Sequence, residues 1–212
     1  MPLIDRAAPA SLFLALLSSD LAQAFTANVT SGSPQLYLQV GAGAFAGTYN
    51  SGGTPGRNPT INTVQVTLAP NAVGSGTAQA MTSNSAAATS NWDGYAFCNP
   101  PAEVYVGAAY RSNRHGAAAA ATLTASVPSG LSNGSGASIP FSQISWTSSG
   151  NGDGASAIQP FPSGSFAPGH QTIGTIARNQ WAESCHRFSY RNANIVPAGT
   201  YTGRVTYTLS AP

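Results

Sequence analysis

The chain has 212 residues and a formal net charge of +2, and its composition is 42% hydrophobic but only 7% charged. This length suits one large domain or two small ones, and the hydrophobic content excludes a disordered chain. The eight basic residues are all arginine and are scattered, so no basic run fits a nucleic-acid backbone. A surface built from Ser, Thr, Asn and Gln rather than from charge is typical of an extracellular β-protein.

The N-terminus predicts a signal peptide over residues 1–24. The stretch Ala7–Leu17 is apolar and has the length of a signal-peptide core, which is too short for a membrane-spanning helix. Residues 22–24 read Ala-Gln-Ala, a small-x-small site that predicts cleavage before Phe25. The alternative is a buried N-terminal helix. No later segment is apolar over about 18 residues, so the mature chain is not expected to span a membrane.

Apolar and polar residues alternate in six segments after the signal peptide. A period of two with one apolar face predicts half-buried antiparallel strands, and the Gly, Pro, Ser and Asn clusters between them predict turns. We therefore predict an all-β, immunoglobulin-like antiparallel β-sandwich over residues 41–212. Residues 25–40 are either an N-terminal extension or the first strand. The alternating apolar sets are Leu36, Leu38 and Val40; Val64, Val66 and Leu68; Val104, Val106, Ala108 and Tyr110; Leu123, Ala125 and Val127; Ile139 and Phe141; and Tyr201, Gly203, Val205, Tyr207 and Leu209.

The chain contains two cysteines, Cys98 and Cys185, and both lie in the mature part. An even number of cysteines in an exported chain predicts one disulfide between them. Closing so long a loop stabilises the fold by about 4 to 5 kcal/mol on chain-entropy arithmetic. Two cysteines so far apart in sequence do not form a zinc motif.

Residues with catalytic potential are few. The acidic residues of the mature chain are far apart in sequence, and no Gly-x-Ser-x-Gly elbow or phosphate-binding loop is present. Cys185 and His186 are adjacent, which would place their side chains on opposite faces of a strand. We expect neither catalysis nor a cofactor or metal, and a secreted hydrolase ranks last among the functions considered.

Aromatic residues suggest a binding role as an alternative. Residues 92–95 read Trp-Asp-Gly-Tyr, which is either a sugar-stacking loop or a turn whose aromatic rings pack around the disulfide. A self-contained, lectin-like module that binds a glycan would use Trp92, Trp146 or Trp181 as stacking platforms.

The C-terminus carries a family resemblance. Residues 196–209 read Val-Pro-Ala-Gly-Thr-Tyr-Thr-Gly-Arg-Val-Thr-Tyr-Thr-Leu, which resembles the last strand of chaperone–usher pilus subunits of the spore coat U-like and archaic types. A glycine fourteen residues from the end, Gly199, also matches, whereas Ala211 replaces the family's near-terminal aromatic residue. The resemblance implies a strand for assembly or chaperone capture made of Gly199, Tyr201, Val205, Tyr207 and Leu209.

The same resemblance implies how subunits would join. Such subunits have an incomplete sandwich, and a strand from a neighbour fills the gap by β-augmentation. The candidate donor residues are Leu36, Leu38 and Val40, although the same residues could form the first strand of the chain's own sandwich. The implied partners are other fibre subunits and a periplasmic chaperone, and the implied location is the periplasm and cell surface. We therefore expect an exported structural or adhesive fibre subunit.

Overall fold

The computed structural model describes residues 25–58, 61–150 and 157–212, and the predicted signal peptide lies outside them. The described residues form an all-β structure with sixteen strands, three short 3-10 turns and no α-helix. None of them belongs to a helix that is long and apolar enough to cross a membrane. The strands are β1 Thr26–Asn28, β2 Gln35–Val40, β3 Phe45–Ala46, β4 Thr54–Pro55, β5 Val64–Gln65, β6 Gln79–Ala80, β7 Thr82–Ser83, β8 Val104–Arg111, β9 Ala120–Val127, β10 Gly130–Ser132, β11 Ser138–Pro140, β12 Ile144–Ser149, β13 Gly164–Ser165, β14 Gly169–Ala177, β15 Gln180–Tyr190 and β16 Thr206–Ser210.

A large antiparallel sheet has the strand order β13-β12-β15-β8-β2. Its central strand, β15, is the longest in the described chain at 11 residues. The first half of β15 pairs with β8 on one side and with the short strand β1 on the other. The second half pairs with β12 and, on the opposite side, with β6. β15 therefore pairs with four other strands of this sheet, β1, β6, β8 and β12.

A smaller antiparallel sheet, ordered β14-β9-β16, packs over one face of the large sheet. The main core between the two sheets includes fully buried Val106 and Ala108 from β8 and Leu123 from β9. These are positions at which the alternating pattern predicted inward-facing residues. The predicted all-β antiparallel sandwich is thus confirmed.

The opposite face of the large sheet is covered as well. Tyr105 and Ala109 of β8 and Trp181 of β15 lie on this outer face and are buried. Residues of the N-terminal segment and of the loops between strands pack over them, including Phe25, Phe45 and Phe97. The alternation in β8 predicted one exposed face, but both of its faces are buried.

The predicted disulfide between Cys98 and Cys185 is confirmed, with the two Cα atoms 5.6 Å apart. It fastens the loop that follows Phe97 to the centre of β15, on the outer face. Both sulfurs are buried beside the rings of Phe97 and Tyr105. The bridge therefore holds the outer covering layer on the large sheet.

The C-terminal alternating run forms a strand only in its second half. β16 begins at Thr206, whereas Thr202 makes an isolated bridge to Ser132. At Gly203 a Cβ atom would lie 2.6 Å from the ring of Phe141 and 2.9 Å from Leu131. This close approach to the β10–β11 hairpin separates residues 201–205 from the ladder of β9 and β16.

Candidate functional site

Two sheet edges lie side by side along one flank of the sandwich. β2 pairs with β8 on one side only, and β16 pairs with β9 on one side only. The two strands are in contact with each other, yet no backbone ladder joins them within the described residues. Each strand therefore presents a free edge to the gap between the sheets.

We call this gap the open groove. Except for Leu36, its apolar side chains pack against the main core but are only half-buried, in contrast to fully buried Val106 and Leu123 on the neighbouring strands. Leu36, at the start of β2, is 45% exposed. A cleft of about 370 Å³ occupies one end of the groove, between Leu36 and the C-terminal Ala211. The groove residues are Leu36, Leu38, Val40, Val205, Tyr207, Leu209 and Ala211.

The residues of the predicted assembly strand divide into two sets. Tyr207 and Leu209 lie on β16 and face the core, and burial raises the pKa of Tyr207 well above its ordinary value. Val205 packs against the same core just before the strand. Gly199 is exposed and has a φ of 154° in the preceding loop, and the Tyr201 hydroxyl donates to the Pro197 carbonyl at 2.8 Å.

The predicted donor residues lie in the chain's own large sheet. Leu36, Leu38 and Val40 pair in register with Tyr110, Ala108 and Val106 of β8. Leu38 and Val40 pack against the main core, so β2 contributes to the fold of this chain.

Only one of the three predicted stacking tryptophans reaches the surface. Trp181 is fully buried under Tyr37, with ring centroids 4.8 Å apart, and Trp146 is buried in the main core. Trp92 is half-buried and stacks on Tyr49 with centroids 5.5 Å apart. Burial in two separate apolar clusters removes Trp146 and Trp181 as platforms for a ligand.

The turn after Trp92 has the geometry that its sequence predicts. Gly94 has a φ of 83°, in the left-handed region that favours glycine, and its amide donates to the Ser90 carbonyl at 2.9 Å. The Asp93 carboxylate accepts from the amide of Tyr95 at 3.1 Å, and the Tyr95 ring is exposed. The segment is thus a tight turn whose aromatic residues are partly available at the surface.

A buried carboxyl group lies next to the outer aromatic cluster, as we call Tyr37, Phe45, Tyr49, Trp92 and Trp181. Oε1 of Glu183 accepts from the Tyr105 hydroxyl at 2.5 Å and from Nε1 of Trp181 at 2.7 Å. Burial raises the pKa of Glu183 above its ordinary value, and the hydrogen bond from Tyr105 offsets only part of this effect. Burial and the nearby carboxyl group raise the pKa of Tyr105 as well. These groups form a polar centre that is enclosed within the protein.

Three further titratable or sulfur-bearing groups lie close together at the disulfide. These are Cys98, Glu103 and Cys185, but the two sulfurs are bonded to each other and are not free ligands. Oε1 of Glu103 instead accepts from Arg187 at 2.9 Å. His186 is fully buried, and Nε2 of its ring lies 3.3 Å from the Phe161 carbonyl.

Comparisons with known protein families, with characterised proteins and with solved structures found no match for this chain. The open groove is therefore the strongest guide to function. It combines two free strand edges with a row of half-buried apolar side chains, which is an arrangement suited to receiving one further strand.

Proposed function

We propose that this chain is an exported fibre subunit of the bacterial cell surface, joined to the next subunit by β-augmentation in the open groove. The observation that carries the proposal is the groove itself. An incoming strand would pair with the edge of β2 or β16 through its backbone and would cover the half-buried side chains with its own. The resemblance of the C-terminus to pilus subunits agrees with this function.

The donor that fits best is the segment Phe25–Val29 of a second copy. Its apolar residues alternate at Phe25, Ala27 and Val29, as a strand that fills a groove requires. In the isolated chain, β1 pairs with β15 through three residue pairs, with one further backbone bond at each end, and Val29 is buried on the outer face. β2 is less suitable, because it already pairs with β8 over six residues and contributes to the core. The proposed donor strand is therefore Phe25–Val29 and not β2.

Export is the second part of the proposal. The signal-peptide pattern predicts it, and a disulfide between Cys98 and Cys185 is consistent with folding in an oxidising compartment. A periplasmic chaperone would protect the groove until the next subunit arrives, because an exposed sheet edge invites unwanted pairing.

Deletion of residues 25–30 tests the donor role. We expect the exported protein to form oligomers that grow with concentration, whereas the deletion variant stays monomeric because it has no strand to donate. The variant keeps its groove, so adding it to the wild-type protein should cap the fibres and shorten them. Size-exclusion chromatography and electron microscopy measure both effects.

The matched control replaces the two exposed residues of β1, Thr26 and Asn28, with Ser and leaves its apolar residues in place. This control should assemble like the wild type. A wild-type protein that stays monomeric at every concentration, together with a deletion variant that unfolds, would show that β1 is an integral strand and would refute the fibre proposal.

A further inference from the structure

A polar cleft of about 300 Å³ lies at one end of the sandwich. Three segments that are distant in sequence form it: the loop before β2, the turn between β8 and β9, and the turn between β14 and β15. We call it the arginine cleft. Its lining residues are Ser31, Ser112, Asn113, Arg114, His115, Gly116, Arg178 and Asn179.

Backbone hydrogen bonds hold the three segments together. Asn179 has a φ of 61°, and its amide donates to the Tyr110 carbonyl at 2.7 Å. Its side-chain oxygen accepts from the amide of Ser112 at 2.9 Å, and its carbonyl accepts from the amide of Val29 at 2.9 Å. The amide of Arg178 donates to the Ala119 carbonyl at 2.7 Å. The walls of the cleft are therefore fixed by the ends of ordered strands.

The described residues that line the cleft carry positive charge. Arg114 and Arg178 are exposed, and none of the described lining residues is acidic. The three acidic residues in the described chain are used elsewhere: Asp93 in a surface turn, Glu103 in its ion pair with Arg187, and Glu183 next to the outer aromatic cluster. In a chain with so few charges, two arginines beside one cleft concentrate positive potential there.

The donors around the cleft match an oxyanion. A guanidinium group presents planar N–H donors that suit carboxylate, sulfate and phosphate oxygens. Asn113 and Asn179 add side-chain amide groups, whereas the Ser31 hydroxyl donates to the Ser112 carbonyl at 3.3 Å, and none of the lining residues is a large apolar one. The cleft is thus unsuited to an apolar ligand, and its volume is in the range of small-molecule sites.

We propose that the arginine cleft binds an oxyanion group, such as a sulfate or a carboxylate, either as a free ion or as part of an acidic polysaccharide. Arg114 and Arg178 supply the charge, and the neighbouring side-chain amides orient the group. The proposal does not rest on fibre assembly, because it requires no second subunit. The two sites do share residues: Ser112 and Arg114 also line the cleft at the end of the open groove, and the Asn179 carbonyl accepts from the amide of Val29 in the candidate donor segment.

Two probes test the proposal: sodium sulfate, titrated by calorimetry, and immobilised heparin, from which the protein is eluted with sodium chloride. We expect the exported protein to bind at least one probe. Replacing Arg114 and Arg178 together with Gln should weaken binding by about tenfold or more, which corresponds to about 1.4 kcal/mol. Binding of sulfate alone identifies a free ion as the ligand, and strong retention on heparin with weak sulfate binding identifies a polysaccharide.

The matched control replaces Arg57 and Arg204 with Gln, because both are exposed and lie outside the cleft. It removes the same net charge and should bind like the wild type. Thermal unfolding checks that the cleft variant folds, since Arg178 also makes a weak bond to the Ala117 carbonyl at 3.4 Å. If the wild type binds neither probe, or if the two double variants lose affinity equally, the proposal is overturned.

Discussion

At the scale of single residues, His186 makes stability depend on pH. The ring is fully buried between Trp146 and Phe188, and burial lowers the pKa of His186 from 6.5 to about 4. The unfolded chain binds a proton below about pH 6.5, whereas the folded chain does not until about pH 4. The folded state is therefore favoured above pH 6.5, and this contribution is lost as the pH falls towards 4.

We predict that His186→Phe removes this acid sensitivity. The aromatic ring is kept, so packing changes little, but no group remains that gains a proton on unfolding. Between pH 7 and pH 4, the wild type should lose about 3 kcal/mol more unfolding free energy than the variant, as the lowered pKa implies. Urea unfolding at a series of pH values measures the difference.

The exposed His170 supplies the control for this experiment, because His170→Gln should leave the acid limb of the stability curve unchanged. Glu183 acts in the opposite direction. A raised pKa favours the folded state at low pH and loses that contribution as the pH rises, but this effect is the same in all three proteins. Parallel acid limbs for wild type and His186→Phe would contradict the assignment.

At the scale of strands, two positions of β2, Leu36 and Leu38, are expected to respond differently to substitution. Leu38 packs against the main core, so Leu38→Asp places a carboxyl group in an apolar site and should cost about 3 to 5 kcal/mol of unfolding free energy. Leu36→Asp introduces the same group on the same strand at a position that is 45% exposed, and should cost about 1 kcal/mol or less. Chemical denaturation of the monomeric variants that lack residues 25–30 measures both costs without interference from assembly.

Costs of about 1 kcal/mol or less at both Leu36 and Leu38 would indicate that β2 is not required for the fold. It would then be available as a donor strand.

Whether the alternation of apolar and polar residues predicted a strand depended on how many faces of that strand are buried. β2 and β9 alternate between apolar and polar residues, and the pattern identified both. β15 was missed because it is covered on both faces and carries Glu183, Ser184 and His186 in its buried stretch. A central strand with polar residues inside has no period of two to detect.

Sequence patterns predicted the residues of one candidate site but not those of the other. The residues of β2 and β16 that line the open groove were identified because each strand has its own local pattern. Their position on adjacent free edges follows from the sheet order, which no local pattern specifies. No sequence pattern predicted the arginine cleft, because Arg114 and Arg178 lie in two different turns, β8–β9 and β14–β15, which only the fold brings together.

At the scale of the whole molecule, the described chain is a sandwich that is covered on its outer face and has two free strand edges along one flank. The large sheet is covered by the small sheet on one side and by aromatic residues, fastened by the disulfide, on the other. The open groove is the part of this core that no strand of the chain covers. A strand added there would stabilise the folded state, because it binds the folded subunit and not the unfolded chain.

A synthetic peptide of residues 25–33, added to the variant that lacks residues 25–30, tests this last point. We predict that the unfolding temperature rises with peptide concentration, with a gain of about 2.7 kcal/mol when the free peptide is at 100 times its dissociation constant. A peptide with Ala27→Asp and Val29→Asp should have no effect, because both residues would carry charge into an apolar site. A nitroxide label on the peptide then reports where it binds. Broadening of the amide signals of β16 and β2 places it in the open groove, whereas broadening confined to Trp181 and Ala182 places it where β1 pairs with β15 in the intact chain and contradicts donor-strand assembly.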